Sequence, residues 1–420
     1  MSAAKATTGL DSANAIYRFL HGSAAASAWT PSPTIRKVTP VKGGSTNHTF
    51  RLHFHKPLEA IGVAGESFPP KSAIFKYFPD NILLTPEISF SSRRQAFEAR
   101  ALTDLAKHLD SAPRNGVQIS LPKLLHADLD EHFIIVEDLS PERDLGHLNS
   151  RSSINCAQFV GQVGTDPFKA RAAVNVARAL GTWLFSLHSL GRNMRLGLHS
   201  RFDHFESRKI QDLTTLGDFI RCIELCGVQL ESERKRQLHA ILKQHGDELV
   251  RSGDGGTLVM GDFWMGNFMI RLTGGGEMER SNGPGLRAEP SQVTEDTGST
   301  FDVSSEPKLL VHVIDWEFTT YALPYIDLAH FAAEAWLFDF FRRQSVGVST
   351  ISRTMTAALF DSYSQAGGTI NLDKVIVYIA GHIGCFLHYT DHWTKDQGLK
   401  IAACMQAVRM IENAAAQRWD

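Results

Sequence analysis

Hydrophobic positions along the chain recur with two different periods. Residues 11–22 place Ala15, Ile16, Phe19 and Leu20 at helical spacing, which predicts a short amphipathic helix. From there to about residue 138, short β-forming runs alternate with turn signals. Residues 49–55 (TFRLHFH), 72–78 (SAIFKYF), 124–125 and 132–136 (HFIIV) read as strands. The exception is 93–109, where Phe97, Ala101, Leu102, Leu105 and Leu109 follow the helical period.

From residue 168 the pattern turns helical. KARAAVNVARALGTWLFSLHSLG puts Val174, Ala177, Leu180, Leu184 and Leu187 on one face, with Gly191 as its stop. Further helices are predicted at 208–227, 232–250, 326–342, 351–365, 373–392 and 398–417. A β-rich island sits among them, at 258–260, 268–272 and 309–314. Residues 273–306 interrupt it with six glycines, two prolines and seven acidic residues. Such a segment has too little apolar surface to offset ordering entropy, so it reads as a disordered insertion in a hairpin. The expected architecture is α+β and two-lobed: a β-rich lobe over 1–138 and a mainly helical lobe over 139–420.

Composition narrows the function classes. With 43 Lys+Arg against 45 Asp+Glu in 420 residues, net charge is −2. That near-balance gives no global footprint for nucleic acid or an anionic membrane. No apolar run approaches the ~20 residues of a spanning helix. The first twenty residues lack an apolar core followed by a small-residue cleavage site. The five cysteines are sparse and odd in number, and read as buried thiols in a reducing compartment. A cytoplasmic protein is expected.

Candidate chemistry begins at VMGDFWMGNFMI, residues 259–270. Asp262 and Asn267 stand in D-x4-N spacing between two apolar runs. In phosphoryl-transfer enzymes such a loop offers a carboxylate to orient an attacking hydroxyl and an amide oxygen to Mg²⁺. Alone, the spacing also fits an ordinary Asp turn. LLVHVIDWEF, 309–318, then ends an apolar strand in Asp315. A carboxylate there is costly unless paired or bound to metal. Asp262, Asn267 and Asp315 together supply one base and two hard oxygen donors suited to Mg²⁺. Upstream, KGGSTNHTFRL offers Gly43, Gly44, Ser45, Thr46 and Asn47 as a phosphate-approaching turn, although no Walker sequence occurs. Lys76 lies within AIFKYF, flanked by aromatics, and Glu98 on the following helix is its natural partner. IIVEDLS, 134–140, places Glu137 and Leu139 where a connector between lobes would offer backbone groups to adenine.

These segments resemble the aminoglycoside phosphotransferase and choline kinase superfamily, which has a protein-kinase-like fold. GGSTNHTFRL resembles its G-G-x-S/T-N phosphate loop, and ALGTWLFSLHSLG its L-x-x-L-H helix. MGDFWMGN resembles H-G-D-x-x-x-x-N, and IDWEFTTYALPYIDLA resembles I-D-W-E-x-x-x-x-G-x-P-x-x-D-L-A. The GDFWxGN and VEDLS variants lean toward methylthioribose kinase-like or ecdysteroid kinase-like branches. The resemblance implies that Asp262 is the catalytic base, that Asn267 and Asp315 bind Mg²⁺, and that Lys76, held by Glu98, contacts the phosphates of ATP. It further implies supporting roles for Asp327 and His188. Two positions depart from the pattern: Met260 replaces the usual His, and Ala322 the usual Gly.

The implied activity is transfer of the γ-phosphoryl group of ATP to a hydroxyl of a small metabolite. A catalytically silent nucleotide-binding module of the same fold is the alternative, and Met260 and the insertion are its support. Acceptor candidates are Trp336, Asp339, His388, Tyr389, Asp391, His392 and Trp393; the aromatic and acidic character of HYTDHW suits a cationic or sugar-like acceptor, but a partly exposed helix end packed by Trp393 is the favoured reading of that segment. The short span from Asp315 to Ile326 leaves no room for a regulated activation loop.

Overall fold

A computed structural model describes residues 10–22, 35–41, 44, 46–56, 71–109, 112–114, 116–140, 153–251, 256–273, 308–342, 351–389 and 393–416. Gly43, Ser45, residues 274–306 of the expected insertion, Asp391 and His392 lie outside the described residues.

The first lobe is built on a five-stranded antiparallel sheet. Its strands are β1 (Ile35–Pro40), β2 (His48–Phe54), β3 (Ser72–Tyr77), β5 (Leu124–Asp128) and β6 (Phe133–Glu137), in the order β1-β2-β3-β6-β5. The alternation of the sequence becomes two faces. Phe75 is fully buried among Leu52, Phe133 and Ile135 against the helix Ala13–Gly22, whereas Lys76 points to the other face. β3 is central, with Lys76 opposite Thr49 on one side and Ile134 on the other. Its lysine therefore is not the solvent-facing residue of an edge strand. The helix Arg94–Asp104 packs beneath this face and buries Arg94 and Glu98 one turn apart.

The strands of the island join three others, one of them from the first 138 residues, in two small sheets. β4 (Val117–Ser120), β10 (Lys308–Val313), β9 (Phe268–Thr273) and β7 (Ile154–Asn155) make one, and β8 (Thr257–Val259) with β11 (Thr320–Ala322) the other. β4 runs parallel to β10, with Val117 opposite Leu309, so a strand early in the chain joins a sheet completed nearly two hundred residues later.

The long helix Pro167–Gly191 begins at an Asp166 cap and packs against Ile351–Gln365, and both bury faces in the larger core. The expected helix over 208–227 is three pieces: Phe205–Asp212, a π-helical turn Leu213–Gly217, and Phe219–Leu225. The other expected helices fall at Ser232–Arg251, Tyr325–Arg342, Leu372–Tyr389 and Gln397–Ala415. All five cysteines are free and buried. No described helix is long and apolar enough to cross a membrane.

Candidate active site

Lys76 Nζ donates to both Glu98 oxygens, at 2.7 and 2.8 Å, and to Asp315 Oδ1 at 2.5 Å. Burial opposes a charge on Lys76, but Asp315, Glu98 and Glu317 outweigh it and hold the ammonium well above its ordinary range. Burial raises Glu98, against the pull of Lys76, and Asp315 and Glu317 push it the same way, to about 7. The bidentate geometry is that of an ionised carboxylate. Asp315 reaches this position because its backbone turns out of β10 at φ 62°, a left-handed conformation that Asp adopts more readily than most residues.

The D-x4-N hairpin closes on itself. Asn267 Nδ2 donates to Asp262 Oδ2 at 2.7 Å and to its carbonyl at 2.9 Å. With its NH₂ so engaged, the amide could hold a cation only through its oxygen. Burial pushes Asp262 up to about 8; the Asn267 hydrogen bond opposes this, and Asp315, Glu317 and Glu334 add to it. Gly261, at φ 82°, permits the turn before the aspartate. A Cβ there would meet Gln211 Nε2 at 2.4 Å and the Phe318 carbonyl at 2.6 Å.

A second tier fixes the loop. Asp327, fully buried, accepts from the backbone N–H groups of Met260 and Gly261 at 2.9 and 2.8 Å. It also accepts from His188 Nε2 at 3.1 Å, while Tyr363 donates to His188 Nδ1 at 2.9 Å. Met260 itself is buried in the larger core, so the loop is anchored by backbone donors and packing.

Sequence reasoning missed Arg94. Its fully buried guanidinium donates to Glu317 Oε2 at 2.8 Å, Asn47 Oδ1 at 3.0 Å and the Thr46 carbonyl at 3.2 Å. Thr46 donates to the other oxygen of Glu317. Arg94 thus ties the upstream turn to the segment after β10. The only sequence signal was its place four residues before Glu98.

One cleft of about 310 Å³ gathers Gly44, Thr46, Asn47, Lys76, Asp262, Asn267 and Asp315. Glu98 lies behind Lys76. Glu137 and Leu139 are not among the described residues lining it. The Glu137 N–H donates to the Lys123 carbonyl, and the Leu139 carbonyl accepts from Ser153. A lysine and glutamate pair under an antiparallel sheet thus meets a strand-end aspartate and a D-x4-N hairpin from a helical lobe. The architecture is the α+β, two-lobed one expected from the sequence.

The 4-hydroxytryptamine kinase of Psilocybe cyanescens is 22% identical over 362 residues, covering 86% of this chain and 82% of that protein. The 4-hydroxytryptamine kinase of Psilocybe cubensis is also 22% identical, over 347 residues, covering 82% and 79%. A choline/ethanolamine kinase family protein from Mesorhizobium loti superposes with a TM-score of 0.45 at 14% identity, covering 96% of this chain and 98% of that one. No protein-family model matches the chain.

Of the expected acceptor residues, Tyr389 alone is among the described residues lining the cleft. Trp336 and Trp393 instead stack on Phe340 and Phe341, and Asp339 is buried near Arg353. For Trp336 and Trp393 the structure therefore agrees with the packed helix end that the sequence also allowed. The groups that do face the cleft are His330, Glu334, Tyr378, His382 and Phe386, with Trp264 from the hairpin. His330 Nε2 stands 3.6 Å from Asp262 Oδ1. Burial, then the neighbouring His382, pushes His330 down to about 3, and burial pushes His382 down to about 4.

Proposed function

We propose that the chain is an ATP-dependent kinase that phosphorylates a hydroxyl of a small molecule. The observation that carries this reading is the meeting of Lys76, Asp262, Asn267 and Asp315 in one cleft between sheet and helices. Asp262, ionised, orients the acceptor hydroxyl and takes its proton as the phosphoryl group leaves ATP. Asp315, partly exposed, and the Asn267 amide oxygen are hard donors that line the cleft, and they fit Mg²⁺. That ion would neutralise charge on the transferring phosphates. Lys76 binds phosphate oxygens, with Glu98 holding its position, and Gly44, Thr46 and Asn47 approach the phosphates from above. Glu137 and Leu139 remain candidates for the adenine edge. The expected division into lobes, 1–138 and 139–420, places the base and cation ligands in the second and the lysine in the first.

The acceptor side is lined by Trp264, Phe318, Tyr378, Phe386 and Tyr389, which suits an acceptor with a flat apolar body. The names of the two Psilocybe relatives point the same way. Anchorage of Met260 and Gly261 by Asp327 argues against the silent-module alternative, since the loop is held without a histidine.

A screen for ADP release over hydroxyindoles, amino alcohols, aminoglycosides and sugars tests the reading. Turnover with at least one acceptor is expected. Asp262→Ala should lower kcat by at least about 10³-fold. It should keep the thermal stabilisation by Mg²⁺ and ATP, about 2.7 kcal/mol at one hundred times Kd. Full turnover in Asp262→Ala would overturn the base assignment. Stabilisation without ADP release from any acceptor would return the chain to the silent module.

A further inference from the structure

His330, Glu334 and His382 form a cluster that the phosphoryl-transfer scheme leaves without a task. His330 and Glu334 are four residues apart on the helix Tyr325–Arg342, so both project from one face. His382 comes from the facing helix Leu372–Tyr389. Its Nε2 donates to Glu334 Oε1 at 2.8 Å, and the imidazole centroids of His330 and His382 are 4.4 Å apart. One ligand atom from each of the three residues lies within 4.8 Å of the other two. Glu334 and His382 are buried, and all three line the cleft.

We propose that His330, Glu334 and His382 form a zinc-type transition-metal site, separate from Asn267 and Asp315, with its fourth position open to the cleft. Two imidazole nitrogens and one carboxylate oxygen are a donor set of open, four-coordinate Zn²⁺ sites. In such a site the ligand atoms stand ~3.4 Å apart, so side-chain rotations of about 1 Å close the cluster from its present spacing. Imidazole donors favour Zn²⁺ and Co²⁺, whereas the all-oxygen pair Asn267 and Asp315 favours Mg²⁺, so the two sites select different ions. Phe386 stacks on His382 at 5.0 Å and restrains its ring. Asp262 Oδ1 lies 3.6 Å from His330 Nε2, so a bound ion stands beside the catalytic carboxylate and occupies acceptor space. Zn²⁺ therefore inhibits turnover; that consequence rests on the kinase reading, whereas binding does not.

The test is Co²⁺ titration of the full chain after chelator treatment, followed by visible absorption. The expected result is one Co²⁺ per chain with the strong absorption of a four-coordinate ion, displaced by one equivalent of Zn²⁺. His382→Ala, His330→Ala and Glu334→Gln should each weaken binding at least 100-fold. Asp315→Asn should leave it unchanged. Circular dichroism checks the fold of each variant, and the isosteric Glu334→Gln decides the matter if either alanine variant fails to fold. No Co²⁺ absorption, or affinity unaltered in the folded variants, overturns the proposal. Co²⁺ binding without ADP release would refute only the kinase reading, and ADP release without Co²⁺ binding only the metal site.

Discussion

In the proposed mechanism Asp262 is the base, and its burial has a cost in stability. Its folded-state pKa, pushed up to about 8 by burial and by neighbouring carboxylates, lies well above the ~3.9 of an unfolded chain. The folded state then binds more protons at this group across that interval, so the contribution of Asp262 to stability is most favourable below about pH 4 and declines as pH rises to about 8. Asp262→Asn removes the ionisation. At pH 8.5 without nucleotide it should stabilise the protein by about 1–3 kcal/mol in chemical denaturation, with no gain at pH 4. Activity runs the other way. In the wild type, kcat/KM should rise with pH along a limb whose midpoint lies above the usual carboxylate range. A limb centred near pH 4 would show that burial does not govern this base.

At the scale of elements, the hairpin that carries Asp262 and Asn267 is positioned by a close crossing. Gly191 ends the helix Pro167–Gly191, and a Cβ there would meet the backbone nitrogen of Leu258 in β8 at 2.2 Å. Backbone cannot step aside as a flexible side chain can. Gly191→Ala should therefore displace β8, lower stability by about 1–3 kcal/mol and depress kcat, measured by thermal unfolding and turnover. The glycine was legible as a helix stop, but its contact with a strand far along the chain was not. The π-helical turn Leu213–Gly217 gives the same lesson. It brings Thr214 and Thr215 to the cleft, while apolar spacing over 208–227 reads as one regular helix.

Across the whole molecule, Arg94 and Glu317 join parts of the chain that meet only after folding. The pair is almost entirely buried, and Thr46 shares the carboxylate. Glu317→Ala strands a buried guanidinium and should cost about 3–5 kcal/mol of unfolding free energy. It should also weaken nucleotide binding, because Thr46 and Asn47 lose their tether. A stability loss under 1 kcal/mol would mean that the carbonyl partners of Arg94 suffice.

Local pattern was enough for most elements. Periodicity marked the sheet of the first lobe and nearly all long helices, because one buried face imprints a period of two or 3.6 on the residues that form it. It failed at β1 and β4. β1 is a polar edge strand, and β4 is four residues long and pairs with β10 nearly two hundred residues later. The motif residues Lys76, Asp262, Asn267 and Asp315 were legible because phosphate and cation chemistry restricts their type and spacing. Their convergence, the tie through Arg94, and the choice of His330, Glu334 and His382 over Trp336, Asp339 and Trp393 to line the cleft were decided by tertiary structure. Which face of a helix meets a cleft depends on how the helices cross, and the residues of one helix carry no record of that crossing.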